Sequence, residues 1–475
     1  MKINIKLNDM SYRYEVYQIF NIYFSSMDIK FEEPYNYYVN INENSVNCGF
    51  EGKVRDYNFH GELTKKENIR MSLFCFLKEL TKKEYPWGTL IGIRPSKIAL
   101  KLMESHTDEE IFSYFTKHSI TKEDKIRLCI EVARAEQKYI KNHKKTISLY
   151  IGMPFCPTKC LYCSFASNSI SAAKDLVEKY IDALIYELDR TMEYIAENNL
   201  KVQCVYFGGG TPTSVSDGQF ERVMKRIYDN FITKHALEEF TVECGRPDSI
   251  TINKLASMKK YNVDRISVNP QTMNDKTLKL IGRSHSSGDV AEKFHMARNL
   301  GFKNINMDII IGLPYEDLQD VRNTCRKVYE LKPDNLTVHG LSIKRGSRLY
   351  EKIINTDSYT EIHQNEIIEM FSQSRALADS LNMEPYYMYR QKNMVGNMEN
   401  VGYSIPGMEG IYNIQMIEES QTIIACGADA VTKVIFPEEN RIERAANLKE
   451  VREYITRIDE LINKKTELLN TLFKT

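Results

Sequence analysis

Three cysteines, Cys156, Cys160 and Cys163, stand at C-x-x-x-C-x-x-C spacing in the run YIGMPFCPTKCLYCSF. An iron–sulfur cube is normally closed by four thiolates. Three thiols in one short loop, with no fourth nearby, would hold three irons and leave the last open to a ligand that is not protein. Two other readings compete. Three reduced core cysteines could lie close by accident, but Pro154 and Pro157 and a short approach strand from Ile147 to Met153 frame an exposed loop. Zinc wants four ligands, commonly a C-x-x-C pair with a second Cys or His pair, and no such partner pair accompanies this loop.

About fifty residues on, VYFGGGTPT (Val205 to Thr213) ends a β-rich run in three glycines. It lacks the Lys of a P-loop and the G-x-G-x-x-G spacing of a dinucleotide fold, so phosphate cradling is not indicated. Gly208, Gly209 and Gly210 instead let backbone pass close to a ligand.

Behind these residues must stand elements that hold them. From Ile147 the pattern alternates strand and helix. Strands are expected at Ser148–Met153, Val202–Phe207, Phe240–Glu243, Arg265–Val268, Ile305–Ile311 and Leu336–Leu341, with a long amphipathic helix from Leu176 to Ile195 after the first. Alternation of this kind implies a parallel sheet wrapped by helices, with chemistry at the C-terminal ends of its strands. The expected division is a small α/β module over residues 1–60, a helical segment and linker over 61–145 closing on KNHKK, a core over 146–345, and a mostly helical region over 346–475 with Gly-rich breaks at Val395–Gly410 and Cys426–Ala430. The first third carries no evident catalytic pattern.

Composition sets further bounds. The 475 residues, 42% of them hydrophobic, can bury a large core. Sixty-four basic and 64 acidic side chains cancel, so nothing argues for general nucleic-acid affinity. No apolar leader and no run of about 18 apolar residues occurs, and a cytoplasmic protein without a membrane span is expected. Ten cysteines in so long a chain are not a disulfide framework; Cys48, Cys75, Cys129, Cys204, Cys244, Cys325 and Cys426 read as buried reduced thiols.

The cysteine loop and the glycine run together resemble the radical SAM enzymes, in which S-adenosylmethionine (SAM) binds the open iron of a [4Fe-4S] cluster. That resemblance implies an open (β/α)6 partial TIM barrel. With VECGRPDSI, RISVNPQTMNDKTLKLIGRSH, NINMDIIIGLPYE and YRQKNMVGNMENVGY added, the span Tyr150 to Tyr403 resembles the oxygen-independent coproporphyrinogen III oxidase (coproporphyrinogen dehydrogenase) family, HemZ branch. Carried over by motif, the resemblance implies Cys156, Cys160 and Cys163 as cluster ligands. Tyr150, Tyr162, Phe165, Gly209, Gly210, Thr211, Glu243, Gln271, Arg283 and Asp308 are implied SAM contacts, for one or two SAM molecules. Acidic groups suit the cations of that ligand and an Arg its carboxylate.

The implied activity converts propionates of coproporphyrinogen III to vinyl groups, giving protoporphyrinogen IX in anaerobic haem biosynthesis, with an electron donor such as flavodoxin or ferredoxin. A tetrapyrrole needs cationic anchors and flat walls; Lys344, Arg345, Arg348 and Arg390, with Tyr386, Tyr387 and Tyr389, are the substrate candidates. The chain departs from the oxidase pattern at Phe165 and in the later Gln-bearing second-SAM segment, which is replaced by RQKNMVGN. Two residues beyond the third cluster Cys the oxidase has another Cys, and this chain has Phe165, as do haem-chaperone relatives and radical SAM methyltransferases. The alternatives are therefore a methyltransferase or haem-opening enzyme of the same fold, and a haem-binding chaperone for which His285, His295 and His339 are available as axial ligands.

Overall fold

Alternation at Ile3, Ile5 and Leu7 makes a half-buried strand, β1 (Lys2–Leu7), in which Ile3 and Ile5 are fully covered and Leu7 partly. The computed structural model describes residues 2–24, 28–140, 145–165, 167–344, 346–351 and 362–473; positions 141–144 of the expected linker and the substrate candidate Arg345 lie outside them. β1 pairs parallel with β2 (Asp28–Lys30) and β3 (Tyr37–Ile41), and β4 (Ser45–Phe50) and β5 (Lys53–Asn58) continue the sheet antiparallel. Helices α1 (Arg13–Tyr23) and α2 (Lys65–Thr81) complete its core, where Val16, Phe20, Leu73 and Leu77 meet Ile3, Ile5 and Val39. A reciprocal Thr64–Glu67 capping box starts α2, and Lys82 in the left-handed region stops it. Because α2 shares that core, the segments expected over 1–60 and onward to residue 133 form one compact unit, joined by 362–369 and 389–399.

The second unit comprises residues 134–361, 370–388 and 400–475. Its first strand, β6 (Thr146–Met153), is apolar and buried nearly throughout, as a strand covered on both faces must be. Two short strands, β7 (Phe155–Cys156) and β8 (Asn168–Ser169), pair with each other. The sheet then runs through β9 (Lys201–Gly209), β10 (Glu239–Val242), β11 (Arg265–Ser267), β12 (Asn304–Ile311) and β13 (Asn335–Gly340), parallel at every step from β6. These are the six strands expected. Helix α3 (Lys174–Glu197) is the long amphipathic helix expected after the first of them, buried at Val177, Ile181, Leu184, Leu188 and Ile195.

Beyond residue 346 the helices expected are present, with Gln364–Ser380 and Ile458–Leu469 the longest. The same region also supplies five strands to the central sheet, β14 (Glu384–Tyr389), β15 (Asn400–Ser404), β16 (Thr422–Cys426), β17 (Val431–Phe436) and β18 (Arg441–Ala446), making eleven in the order β14-β15-β13-β12-β11-β10-β9-β6-β16-β17-β18. β16 lies parallel to β6, register Ala425 to Tyr150. The sequence reading assigned none of these strands, because short apolar runs such as TIIAC carry no period that separates a strand from a buried helix. Among the described residues no helix is long and apolar enough to cross a membrane.

Candidate active site

The loop bearing the three thiols leaves the end of β6 and is closed on itself by the β7–β8 pairing, which sets Cys156 opposite Ser169. Asn168 N–H donates to Pro154 O at 2.8 Å, Ile170 N–H to Cys156 O at 2.9 Å and Cys163 N–H to Cys160 O at 3.2 Å. On its far side Leu161 N–H donates to Ile281 O at 2.9 Å and the Thr158 hydroxyl to Gly282 O at 2.7 Å. Cys156 and Cys163 are half-buried and Cys160 is 8% exposed. Burial pushes the Cys156 and Cys163 thiols up, and the neighbouring thiols raise both further. Cys156 and Cys163 as thiolates therefore favour a cation beside them.

The glycine run at the end of β9 meets this loop. Gly209 has φ +103°, and a Cβ there would stand 2.9 Å from Met153 N; on Gly210 it would stand 2.6 Å from Phe155 O and 3.1 Å from Cys156 Sγ. Gly210 N–H donates to Met153 O at 2.6 Å, and the Thr211 hydroxyl reaches Cys156 Sγ at 3.5 Å. Only hydrogen fits between the glycine backbone and the first thiol.

Beside them opens a cleft of about 470 Å³ whose lining includes Tyr150, Phe165, Gly209, Gly210 and Glu243 among the residues singled out from sequence. Phe165 is 65% exposed. Two tyrosines that the sequence reading did not name complete an aromatic wall. Tyr206 and Tyr412 stack with centroids 4.4 Å apart, and Tyr150 lies 6.3 and 6.4 Å from them with its ring nearly parallel to both. Burial holds all three phenols well above their ordinary range, so each keeps its proton. Tyr206 follows from β-strand alternation, since it points the same way as Gly208 and pairs with Tyr150 across the sheet. Tyr412 enters on a helix (Ile411–Glu418) more than two hundred residues away, and nothing local marked it.

The Tyr206 hydroxyl donates to Glu243 Oε1. Burial, with a smaller push from Asp308, raises the Glu243 carboxyl to about 7 against the pull of that bond. Asp308 experiences the same burial, yet His339 at 3.8 Å and the Asn306 amide at 2.7 Å hold it below the usual carboxylate range.

Tyr162, Arg283, Gln271 and Asp308 join a second, polar set. Arg283 donates to Asn269 O at 2.8 Å, to Gly245 O at 3.1 Å and to the Tyr162 hydroxyl at 3.4 Å; Asn269 in turn donates to Asp308 Oδ2 at 2.6 Å. A hydrogen-bonded chain thus runs from the cysteine loop across the strand ends to β12. Gln271, with φ +65°, bonds its backbone to Asp308 O and Ile310 N–H, while its buried Oε1 has no protein partner.

The substrate candidates among the described residues fall on both units. Lys344 is half-buried and Arg348 exposed just beyond β13. Tyr386 and Tyr387 are buried on β14, with the Tyr387 ring covering Gly402, and Tyr389 is half-buried. Arg390 belongs to the first unit, 5% exposed, donating to Leu90 O, to Asn397 O at 3.1 Å and Asn397 Oδ1 at 2.9 Å, with its guanidinium 5.0 Å over the Trp87 ring. That burial gives Arg390 a structural place instead of the propionate-facing one expected. Among the histidines, His285 is fully buried 3.6 Å from Asp248, His295 packs edge-on to Phe294, and His339 serves Asp308.

A four-iron cube seats each thiolate on its own iron, whereas a single ion draws its ligands to one point. Among the described residues no group of three or more His, Cys, Asp or Glu side chains is placed to hold a metal ion. Glycine backbone stands against Cys156, where a Cβ on Gly210 would lie 3.1 Å from the thiol, and a cradle that a Cβ would fill leaves room for a bulky group beside that thiol.

The radical SAM superfamily pattern matches residues 150–328, so the chain carries a radical SAM domain. The chain is 34% identical to the oxygen-independent coproporphyrinogen-III oxidase-like protein HemZ of Bacillus subtilis, over 100% of this chain and 99% of the relative. It belongs to that HemZ-type family. The haem chaperone HemW of Bacillus subtilis is 34% identical over 43% of this chain and 52% of its own. In fold, the chain is similar to the solved coproporphyrinogen III oxidase HemN of Escherichia coli, with a TM-score of 0.53 and 21% identity over 69% of this chain and 72% of that one.

Proposed function

We propose that this protein is a radical SAM oxidoreductase that decarboxylates propionate groups of coproporphyrinogen III to vinyl groups. The observation that carries the reading is the contact of the Gly209–Gly210 backbone with the Cys156 arm of a three-thiol loop, beside an aromatic-walled cleft. Cys156, Cys160 and Cys163 would hold a [4Fe-4S] cluster, with SAM on its fourth iron. Together these two cofactors supply one-electron chemistry that takes hydrogen from an unactivated carbon.

The chain's own groups would do the rest. Gly209, Gly210 and Thr211 leave room for the methionine end of SAM, and Glu243 accepts from its ammonium. Arg283, Gln271 and Asp308 offer polar partners to the remainder, and Tyr162 orients Arg283. Tyr150, Tyr206, Tyr412 and Phe165 wall the cleft against water. Lys344 and Arg348, with Arg345, are the proposed propionate anchors, and Tyr387 and Tyr389 are the proposed flat wall for the substrate. Each propionate would lose one CO2 and two hydrogens. A low-potential flavodoxin- or ferredoxin-type donor would supply the electron that starts each round, and a separate acceptor would take the one released.

Phe165 at the rim of the cleft favours a second reading, in which the same core methylates or opens a haem, or carries haem without turnover. Anaerobic protein supplied with reductant, SAM and either coproporphyrinogen III or haem separates them. Vinyl products with 5′-deoxyadenosine and methionine support decarboxylation. Methylated or opened products from haem alone overturn it, as does tight haem binding without SAM consumption.

A further inference from the structure

Cys160 differs from the other two loop thiols in what faces it. Cys156 receives the Thr211 hydroxyl and Cys163 the backbone N–H of Phe165. Cys160 receives a guanidinium: Arg246 Nη1 lies 3.7 Å from its Sγ. Arg246 follows β10 and is 3% exposed. Its fork is fully committed. Nη1 also donates to Thr158 O at 3.0 Å and Nη2 to Thr158 Oγ1 at 2.9 Å, while Nε and Nη2 take the two oxygens of Asp248 at 3.0 and 2.8 Å. One side chain therefore ties the loop between the first and second thiols to the end of β10 and sets a fixed positive charge on the second. Arg283 also faces this thiol.

Hydrogen bonds to cluster sulfurs and net charge around them are among the determinants of reduction potential. Reduction adds one negative charge to a cluster and its thiolates, and a buried cation is little screened by solvent or salt. We propose that Arg246 is a positioning residue that holds the Cys160 arm and raises the cluster's potential, easing the electron uptake that starts turnover, with Asp248 partly offsetting its charge. This rests on the cluster reading above.

The test uses the full chain, reconstituted anaerobically with iron and sulfide in three forms: unaltered, Arg246→Gln and Asp248→Asn. Iron content is measured first, then the midpoint potential by an EPR-monitored titration without SAM. Arg246→Gln should load about four irons and disfavour the reduced state roughly tenfold, a fall of about 59 mV for a one-electron couple. Asp248→Asn, which unmasks the guanidinium, should move the potential the opposite way. Opposed shifts are not the mark of a merely structural residue. If the loaded Arg246→Gln protein keeps the unaltered potential, the inference is wrong. If that variant does not load, Asp248→Asn decides alone: a raised potential supports the inference, an unchanged or lowered one overturns it. Failure of the unaltered chain to take up a cluster would instead remove the functional reading on which the inference stands.

Discussion

Tyr206 donates its phenolic hydrogen to Glu243, joining β9 to the residue that follows β10 inside the cleft. The two strands bring these side chains to adjacent positions, and Gly208 leaves them the room, since a Cβ there would stand 2.8 Å from the Tyr206 ring and 2.9 Å from Glu243 Oε2. The pair places a carboxyl of raised pKa beside the glycine cradle.

Glu243 should make SAM binding pH-dependent. Burial lifts its carboxyl from the usual range to about 7, so the protonated form accumulates below that pH and no longer accepts from an ammonium group. SAM affinity should be steady above about pH 8 and fall up to tenfold per pH unit below 7. The sign is opposite for folding. A carboxyl whose folded pKa is raised disfavours the folded state once pH exceeds its unfolded value, so Glu243→Gln should raise the melting temperature at pH 8 and leave it unchanged near pH 4. Calorimetric titration with SAM across this range checks the first statement. A flat affinity from pH 6 to 8 would contradict it.

Changing Cys156, Cys160 or Cys163 to Ala should abolish cluster retention, measured as iron, sulfide and broad absorbance after anaerobic reconstitution. The same change at Cys48, Cys75, Cys129, Cys204, Cys244, Cys325 or Cys426 should not. A variant lacking all three loop thiols that still loads a normal cluster would refute the ligand assignment.

Gly210→Ala forces a methyl into 2.6 Å of Phe155 O and 3.1 Å of Cys156 Sγ, and neither backbone nor ligand thiol can retreat easily. Overpacking of this kind costs roughly 1–3 kcal/mol, paid locally by displacing Cys156. Cluster yield should fall several-fold while far-ultraviolet circular dichroism stays unchanged. Gly218→Ala, whose added Cβ meets nothing within 4 Å, is the control.

The turn after β16 lines the cleft at Ala428, Asp429 and Ala430 and is anchored from below. Glu187, fully buried on α3, accepts from Gly427 N–H, the Tyr454 hydroxyl and Lys465 Nζ, each at 2.7 Å, and from the Asn447 amide at 2.8 Å. Lys465→Met strands that carboxylate and should cost about 3–5 kcal/mol in a urea melt. Glu187→Gln combined with Lys465→Met should recover most of the loss, because no buried charge is left unpaired. Equal stabilities for the single variant and the unaltered protein would show that the pair carries little of the anchoring.

The three-thiol loop, the glycine run and the six parallel strands were legible in the residues themselves. Each is a local pattern: a ligand spacing, a backbone that tolerates no Cβ, an alternation of apolar runs with helical ones. Tertiary structure alone decided what meets across distance. Tyr412 reaches Tyr206 and Arg246 reaches Cys160 only because the strands bring their ends together. β16 joins β6 in the sheet although 268 residues separate Met153 from Thr422. Arg390, in a motif that reads as part of a site, is instead buried against Leu90 and Asn397. Periodicity reports which face of an element is covered, but the partner that covers it is chosen by packing over the whole chain, and no local pattern encodes that choice.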